Sequence, residues 1–370
     1  MKNTLLLFAS IALTVLCWGM YGPVLRSGQE GMSDVPGEVA RLRPFVCVGL
    51  AYFLIGVIVA GIWLYVRGEK GDWTLRGILW SLAGGALGAI GALGIVLAFT
   101  FGGRPIYVMP LVFGGAPVVN AFLTIYMARR VKDIGPLFLA GLIIVILGAV
   151  VVLVASPHGP PPLQIAEDSA TAAVAPQPAL PGFGIWIGQL LSIALTIVSW
   201  GAYGPTLHKG QAAMQNSRLR PLVCVGLAYF AVAVIVPNIL LTGWSENSHY
   251  SHVFGTMWSL LAGAAGAIGA LGVIMAFNFG GKPVYVMPLI FGGAPVVHTL
   301  FSAATKGMLG DLSPMFLAGL MVVIAGSAMV LVFAPRGMPP KKPEEQSRKE
   351  KEQPPEKVET AESAEPFGSS

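Results

Sequence analysis

The sequence predicts an all-α integral membrane protein with ten transmembrane helices arranged as two inverted five-helix repeats. Three observations lead there. First, 55% of the 370 residues are hydrophobic and only 11% are charged, with mean hydropathy +0.72. A soluble domain carries about 25% charged residues, so the surplus apolar side chains must face lipid or one another. Second, the chain repeats itself: Arg43–Phe53 (RPFVCVGLAYF) returns as Arg220–Phe230, and Tyr107–Val119 (YVMPLVFGGAPVV) returns as Tyr285–Val297. Third, each copy holds an odd number of apolar stretches, which forces the second copy to insert upside down. Repeats so related place one shared binding site at their interface, near the bilayer midplane.

About 20 apolar residues span the hydrocarbon core as a helix. In the first copy the spans are Thr4–Leu25, Arg43–Val66, Leu75–Phe101, Pro105–Met127 and Gly135–Ala155. In the second they are Ile185–Leu207, Arg220–Leu241, Val253–Phe279, Pro283–Thr305 and Pro314–Ala334. The first segment resembles a secretory leader, but its counterpart lies mid-chain, so it is read as part of the fold. The chain therefore divides into a first repeat (1–155), a non-cytoplasmic Pro/Ala-rich connector (156–183), a second repeat (184–335) and a charged cytoplasmic tail (336–370). The connector lacks a face to bury, and the tail's Pro, Lys, Glu and Ser content predicts disorder.

Lys and Arg placement sets orientation. One side receives Lys2, Arg67, Lys70, Arg76, Arg129, Arg130, Lys132, Lys209, Arg218, Arg220, Lys282 and the tail. The other receives Arg26, Arg41, Arg43, Arg104 and Lys306. The richer side is expected in the cytoplasm, with both termini, for a multi-pass protein of the plasma membrane. The Arg26–Arg43 loop runs against that trend.

Several function classes are excluded. Basic clusters interleaved with aromatics are missing, so no nucleic-acid partner is expected. Cys17, Cys47 and Cys224 lie inside apolar segments without CxxC or Cys/His ligand spacing. No disulfide framework, metal site or cofactor follows from them. Paired carboxylates and nucleophile–base sets are also missing, so the chain does not read as an enzyme.

The candidate functional residues come in pairs, one from each copy. Gly85, Gly88, Gly91 and Gly94 match Gly263, Gly266, Gly269 and Gly272 in the third helices, where small residues let membrane helices approach closely. The fourth helices carry Pro110 and Pro117, and Pro288 and Pro295, around the doublets Gly114-Gly115 and Gly292-Gly293. Proline removes a helix hydrogen bond, and paired Pro/Gly-interrupted helices point to a transport site; kinks used only for packing are the other reading. Asn120 and His298 lie three residues beyond Pro117 and Pro295, and polar groups at that depth face a bundle interior. Trp18, Tyr21 and Pro23 recur as Trp200, Tyr203 and Pro205 in WGxYGP, read either as an interfacial belt or as a cavity lining. Thr100 and Asn278 are read as interhelical hydrogen bonders, and Tyr107 and Tyr285 as belt residues. Arg43 and Arg220 snorkel to headgroups or recognise an anion. The substrate-pathway candidates are thus Trp18, Tyr21, Pro117, Asn120, Trp200, Tyr203, Pro295 and His298. No Asp or Glu lies in a predicted helix interior, so proton coupling would fall to His298, the only histidine there. Otherwise a counter-substrate or another ion drives transport, or transport runs downhill.

These residues resemble the drug/metabolite transporter superfamily, in particular its ten-helix EamA-type members. The resemblance rests on Trp18-Gly19 and Trp200-Gly201 in the opening helices, on Ala116-Pro117-Val118-Val119-Asn120 and Ala294-Pro295-Val296-Val297-His298, and on Leu-Ala-Gly-Leu at Leu139–Leu142 and Leu317–Leu320. It covers Thr4–Ala334 and implies alternating access by two inverted bundles that move a small organic metabolite or drug. The chain departs from the family at Ala128-Arg129-Arg130 and Ala304-Thr305-Lys306, where many members carry an acidic turn. The alternative is a non-transporting membrane scaffold or sensor acting through the tail.

Overall fold

The computed structural model describes residues 2–36, 38–101, 103, 105–129, 134–155, 182–243, 246–305 and 307–333. The connector (to residue 181), Arg104, Arg130, Lys132, Lys306 and the tail lie outside the described residues, as does the Tyr107 side chain. Among the described residues the fold is all-helical, with one isolated Ser33–Ser248 bridge. The helices are α1 (Lys2–Met32), α2 (Leu42–Arg67), α3 (Leu75–Thr100), α4 (Pro105–Met127) and α5 (Pro136–Val154). They continue with α6 (Gly182–Ala213), α7 (Leu219–Gly243), α8 (Val253–Asn278), α9 (Pro283–Thr305) and α10 (Pro314–Phe333).

Eight of these, all but α4 and α5, are long and apolar enough to cross a membrane. The qualifying apolar stretches of α4 and α5, Leu111–Met127 and Pro136–Val152, are shorter, and the side chains of residues 105–107, 110 and 153 in these helices lie outside the described set. Large apolar side chains such as Leu190, Leu191, Ile239 and Met321 stand exposed on the helix faces. In water such surface is a liability; against acyl chains it is what a membrane helix needs.

Three details depart from expectation. Helices α1 and α6 run on to Met32 and Ala213, past the predicted ends at Leu25 and Leu207, with Pro23 and Pro205 inside them. The longer α6 takes in His208, so His298 is not the only helical histidine. Helices α4 and α9 stay continuous, with Pro288 and Pro295 inside α9; prolines are tolerated where neighbouring helices re-satisfy the freed backbone groups. Finally, α2 and α7 each contain a π-helical segment, Leu54–Val59 and Phe230–Ile235, at equivalent positions. Such π segments recur at functional sites.

The two halves interlock. Helix α1 packs on α8 and α9, while α6 packs on α3 and α4. Helices α2 and α7 face each other, as do α4 and α9, and α5 and α10. Gly49 abuts Ala233 and Gly56 abuts Gly226, so α2 and α7 are traversed in opposite order and run antiparallel. Gly141 abuts Val330 and Gly148 abuts Val323, with the same result for α5 and α10. The largest core cluster draws on both halves and includes Tyr52, Tyr203, Leu207, Tyr229, Ile274 and Met287.

Candidate functional site

The third helices supply glycine tracks, and each track receives side chains from the opposite half. In α3 a Cβ at Gly91 would fall 2.1 Å from Trp200 of α6, and one at Gly88 would fall 3.2 Å from the Tyr229 hydroxyl. In α8 a Cβ at Gly269 would fall 2.3 Å from Trp18 of α1, and one at Gly266 would fall 2.7 Å from the Tyr52 ring. Gly85 and Gly263 lie against Val225 and Val48, and Gly94 and Gly272 against Thr196 and Thr14. Side chains that occupy these notches hydrogen-bond to the exposed helix carbonyls. Trp18 Nε1 donates to the Gly266 carbonyl at 3.2 Å, and Trp200 Nε1 donates to that of Gly88 at 3.1 Å. Thr14 and Thr196 donate to Gly269 and Gly91, both at 3.1 Å. Without a side chain, glycine permits both the close approach and the carbonyl contact.

The two WGxYGP segments carry a second set of notches. Gly19 seats Val297 and Gly22 seats the His298 ring, whose Nδ1 lies 2.8 Å from the position a Cβ would take. In the other half Gly201 seats Val119, and Gly204 lies against Asn120 Oδ1 at 3.1 Å. Asn120 is fully buried and its Nδ2 donates to the Pro283 carbonyl at 2.9 Å. Pro117 and Pro295 are buried nearby on the same helices. Each opening helix therefore meets the proline-bearing fourth helix of the other half.

Aromatic rings fill the middle. Tyr52 and Tyr229 stack with centroids 3.6 Å apart; Trp18 lies 5.9 Å from Tyr203 and Trp200 lies 6.3 Å from Phe113. Tyr21 packs, partly buried, against the same core cluster. Among the described residues the Tyr203 hydroxyl, Asn120 Oδ1 and Gln211 Oε1 are buried without a hydrogen-bond partner. A buried polar atom left unpaired costs about 1–3 kcal/mol.

Both ends of the α2–α7 pair are closed by matching polar clusters. Glu246, just beyond α7, accepts from the backbone N–H groups of Arg41, Leu42 and Arg43 at the start of α2. Glu69, just beyond α2, accepts from Arg218 and Leu219 at the start of α7. Each carboxylate satisfies orphan N–H groups at a helix N-terminus and faces the positive end of its dipole. Arg43 Nη1 donates to the Glu246 carbonyl at 2.8 Å and to Ser248 Oγ at 2.7 Å. Arg220 Nη1 donates to the Glu69 carbonyl at 3.3 Å. Each guanidinium stands 5.8 Å from an aromatic ring, Tyr250 for Arg43 and Trp73 for Arg220, in cation–π range. Burial lowers the Arg41 pKa while Glu246 and Glu38 oppose the shift. Burial raises that of Tyr250.

The two arginines expected to snorkel are thus held by protein groups. Glu69 and Glu246 escaped the sequence reading because they lie in loops far along the chain from their partners. One signal was available: each precedes an aromatic residue by four positions after the second helix of its copy, Glu69 before Trp73 and Glu246 before Tyr250. Among the described residues Thr100 bonds within its own helix, to Val96, whereas Asn278 donates to the Asn216 carbonyl in the turn after α6. Tyr285 donates to the Gly280 carbonyl.

Neither a family model nor a curated protein matches the chain. A solved crystal structure of a protein is similar in fold, with a TM-score of 0.58 over 91% of this chain and 99% of that one, at 18% sequence identity. At that identity the likeness concerns the fold alone.

Proposed function

We propose that the protein is a secondary transporter of the plasma membrane, with ten spans in two inverted repeats and an alternating-access cycle for a small organic metabolite or drug. The observation that carries this reading is the antiparallel pairing of equivalent helices, α2 with α7 and α5 with α10. Equivalent segments that run in opposite directions are what an inverted repeat requires, and transporters built this way hold substrate at the repeat interface. The unpaired Tyr203 hydroxyl and Asn120 Oδ1 supply hydrogen-bonding capacity within that interface. Trp18, Tyr21 and Trp200 supply flat apolar surface beside it. Ligand sites combine these features: mostly apolar walls with few convergent polar groups. The resemblance to the drug/metabolite transporter superfamily points the same way.

Uptake and efflux of a panel of sugars, amino acids and amphipathic drugs in reconstituted vesicles test the proposal. A transported compound whose flux falls in Tyr203→Phe and Asn120→Ala vesicles, with the protein still folded, supports it. Folded protein that moves no member of a broad panel in either direction, but gains function only with its tail present, returns the reading to a membrane scaffold.

A further inference from the structure

We propose that Asp34, His249 and His252 form a binding site for a divalent transition-metal ion, Zn2+ foremost, where the end of α1 meets the turn between α7 and α8. The inference is independent of the transport reading. His252 Nε2 lies 2.7 Å from Asp34 Oδ1, and His249 Nδ1 lies 2.7 Å from Asp34 Oδ2. One ligand atom from each of the three residues falls within a 4.8 Å group. Two imidazoles and one carboxylate are a donor set suited to Zn2+, with Cu2+ and Ni2+ as competitors. A tetrahedral ion with bonds of about 2.0–2.2 Å needs its ligand atoms about 3.4 Å apart. With one oxygen taken from the carboxylate, the three ligand atoms already lie within 4.8 Å of one another, so small side-chain rotations bring them to that spacing. Three protein ligands leave a fourth position open to solvent.

The backbone under the ligands is already fixed. Asp34 N–H donates to the Asn247 carbonyl at 3.0 Å and His249 N–H donates to the Met32 carbonyl at 3.3 Å. The Ser33–Ser248 bridge lies between them. The Arg43–Glu246–Ser248 cluster anchors the same turn. Two residues separated by 218 positions, Asp34 and His252, are thereby held face to face. A plain ion pair would need one histidine; here both oxygens of a single carboxylate each face an imidazole. Among the described residues the opposite end of the molecule shows no such set. There Asp72 accepts from Gln215 Nε2, an amide that is no match for imidazole as a ligand to Zn2+. The proposal therefore specifies one ion per chain, not two, and that ion would tie α1 of the first half to the α7–α8 turn of the second.

The test uses full-length, tag-free protein in detergent, stripped with EDTA and titrated with ZnCl2 by calorimetry. Wild type should bind one ion per chain, and Zn2+ should raise its Tm. The His249→Gln/His252→Gln variant keeps amide donors for Asp34, so it preserves the fold while losing both nitrogen ligands. Its affinity should fall by at least about a hundredfold, since even outer partners of metal ligands are worth about 10–100-fold, and its Tm should no longer respond to Zn2+. Asp34→Asn should weaken binding in the same direction. Co2+ should give a visible absorption band in wild type and lose it in the double variant. Folded wild type that binds no Zn2+ at millimolar concentration, or a double variant whose affinity falls by less than about tenfold, overturns the proposal.

Discussion

Tyr52 and Tyr229 occupy equivalent places in the two copies and stack on each other, with ring centroids 3.6 Å apart and planes 1° from parallel. Their hydroxyls interact, and each ring rests on a glycine of the other half, Tyr52 on Gly266 and Tyr229 on Gly88. The pair therefore marks the place where the α2–α7 interface and both glycine tracks converge. An aromatic pair contributes about 0.5–1.5 kcal/mol beyond its packing. Tyr52→Leu is expected to lower unfolding stability by about 1–3 kcal/mol, read from thermal or denaturant melts in detergent. Tyr52→Phe, which keeps the stack and loses only the hydroxyl, should cost less. Equal losses in both variants would place the stabilisation in the hydroxyl contact and not in the stack.

The glycine tracks set a harder limit. A Cβ at Gly91 would lie 2.1 Å from Trp200, closer than any real contact, and one at Gly266 would lie 2.7 Å from Tyr52. Gly88→Leu and Gly266→Leu should each destabilise by about 1–3 kcal/mol or more and reduce the yield of monodisperse protein. Deleting residues 336–370 should leave the melt unchanged. Wild-type melting in both leucine variants would mean that the opposing helix can retreat at no cost.

The degree to which this architecture could be read from the chain depended on whether its cause was local. Helices α3, α8 and α9 were legible to within a residue or so, because long apolar runs end at Gly-Gly turns such as Gly280-Gly281. The ends of α1 and α6 were not. Their last turns carry Arg26, Gln29, Glu30, Lys209 and Gln211, so hydropathy falls while the backbone stays helical. The glycine periodicity announced a close approach, yet not that Trp18 and Trp200 would fill the notches. The end clusters were invisible because Glu69 and Glu246 find their partners at separations of about 150 and 200 residues. The Asp34–His249–His252 group was invisible for the same reason.

Asp34 makes the first of those end contacts pH-dependent. Its carboxyl is held below the ordinary value of 3.8, first by the hydrogen bond with His252 and then by that with His249. A carboxyl whose pKa is lowered on folding adds stability above its unfolded pKa and loses it as pH falls through the folded value. In EDTA-containing buffer, the Tm advantage of wild type over Asp34→Asn should therefore shrink between about pH 5 and about pH 3. Asp34 is well hydrated, so the effect should be small. A difference that holds level through that window would show that the contact adds nothing to stability.

Opposite ends of α2 and α7 give a topology test within the described residues. Asp72 lies in the turn after α2 and Ser251 in the turn after α7, and those helices run antiparallel. The three native cysteines are buried, and a Cys-free background removes them altogether. Asp72→Cys should react with an impermeant maleimide only from the cytoplasmic side, where Lys and Arg concentrate, and Ser251→Cys only from the other. Labelling of both from one side would break the inverted arrangement.

The histidine of α9 carries the last expectation. His298 lies against Gly22, as its counterpart Asn120 lies against Gly204. The carboxylates of the described residues sit in loops and helix end turns, which leaves histidine as the side chain with an unperturbed pKa near physiological pH in the helix interiors. If transport is proton-coupled, His298→Asn, which copies the other half, should keep substrate binding and abolish pH-driven accumulation. His298→Ala should weaken binding as well, because it also removes the polar group. His208, edge-on to Phe277 with ring centroids 5.1 Å apart, is the natural control, and His208→Asn should leave accumulation intact. Accumulation that survives in His298→Asn and disappears in His208→Asn would move the coupling role from α9 to the C-terminal part of α6.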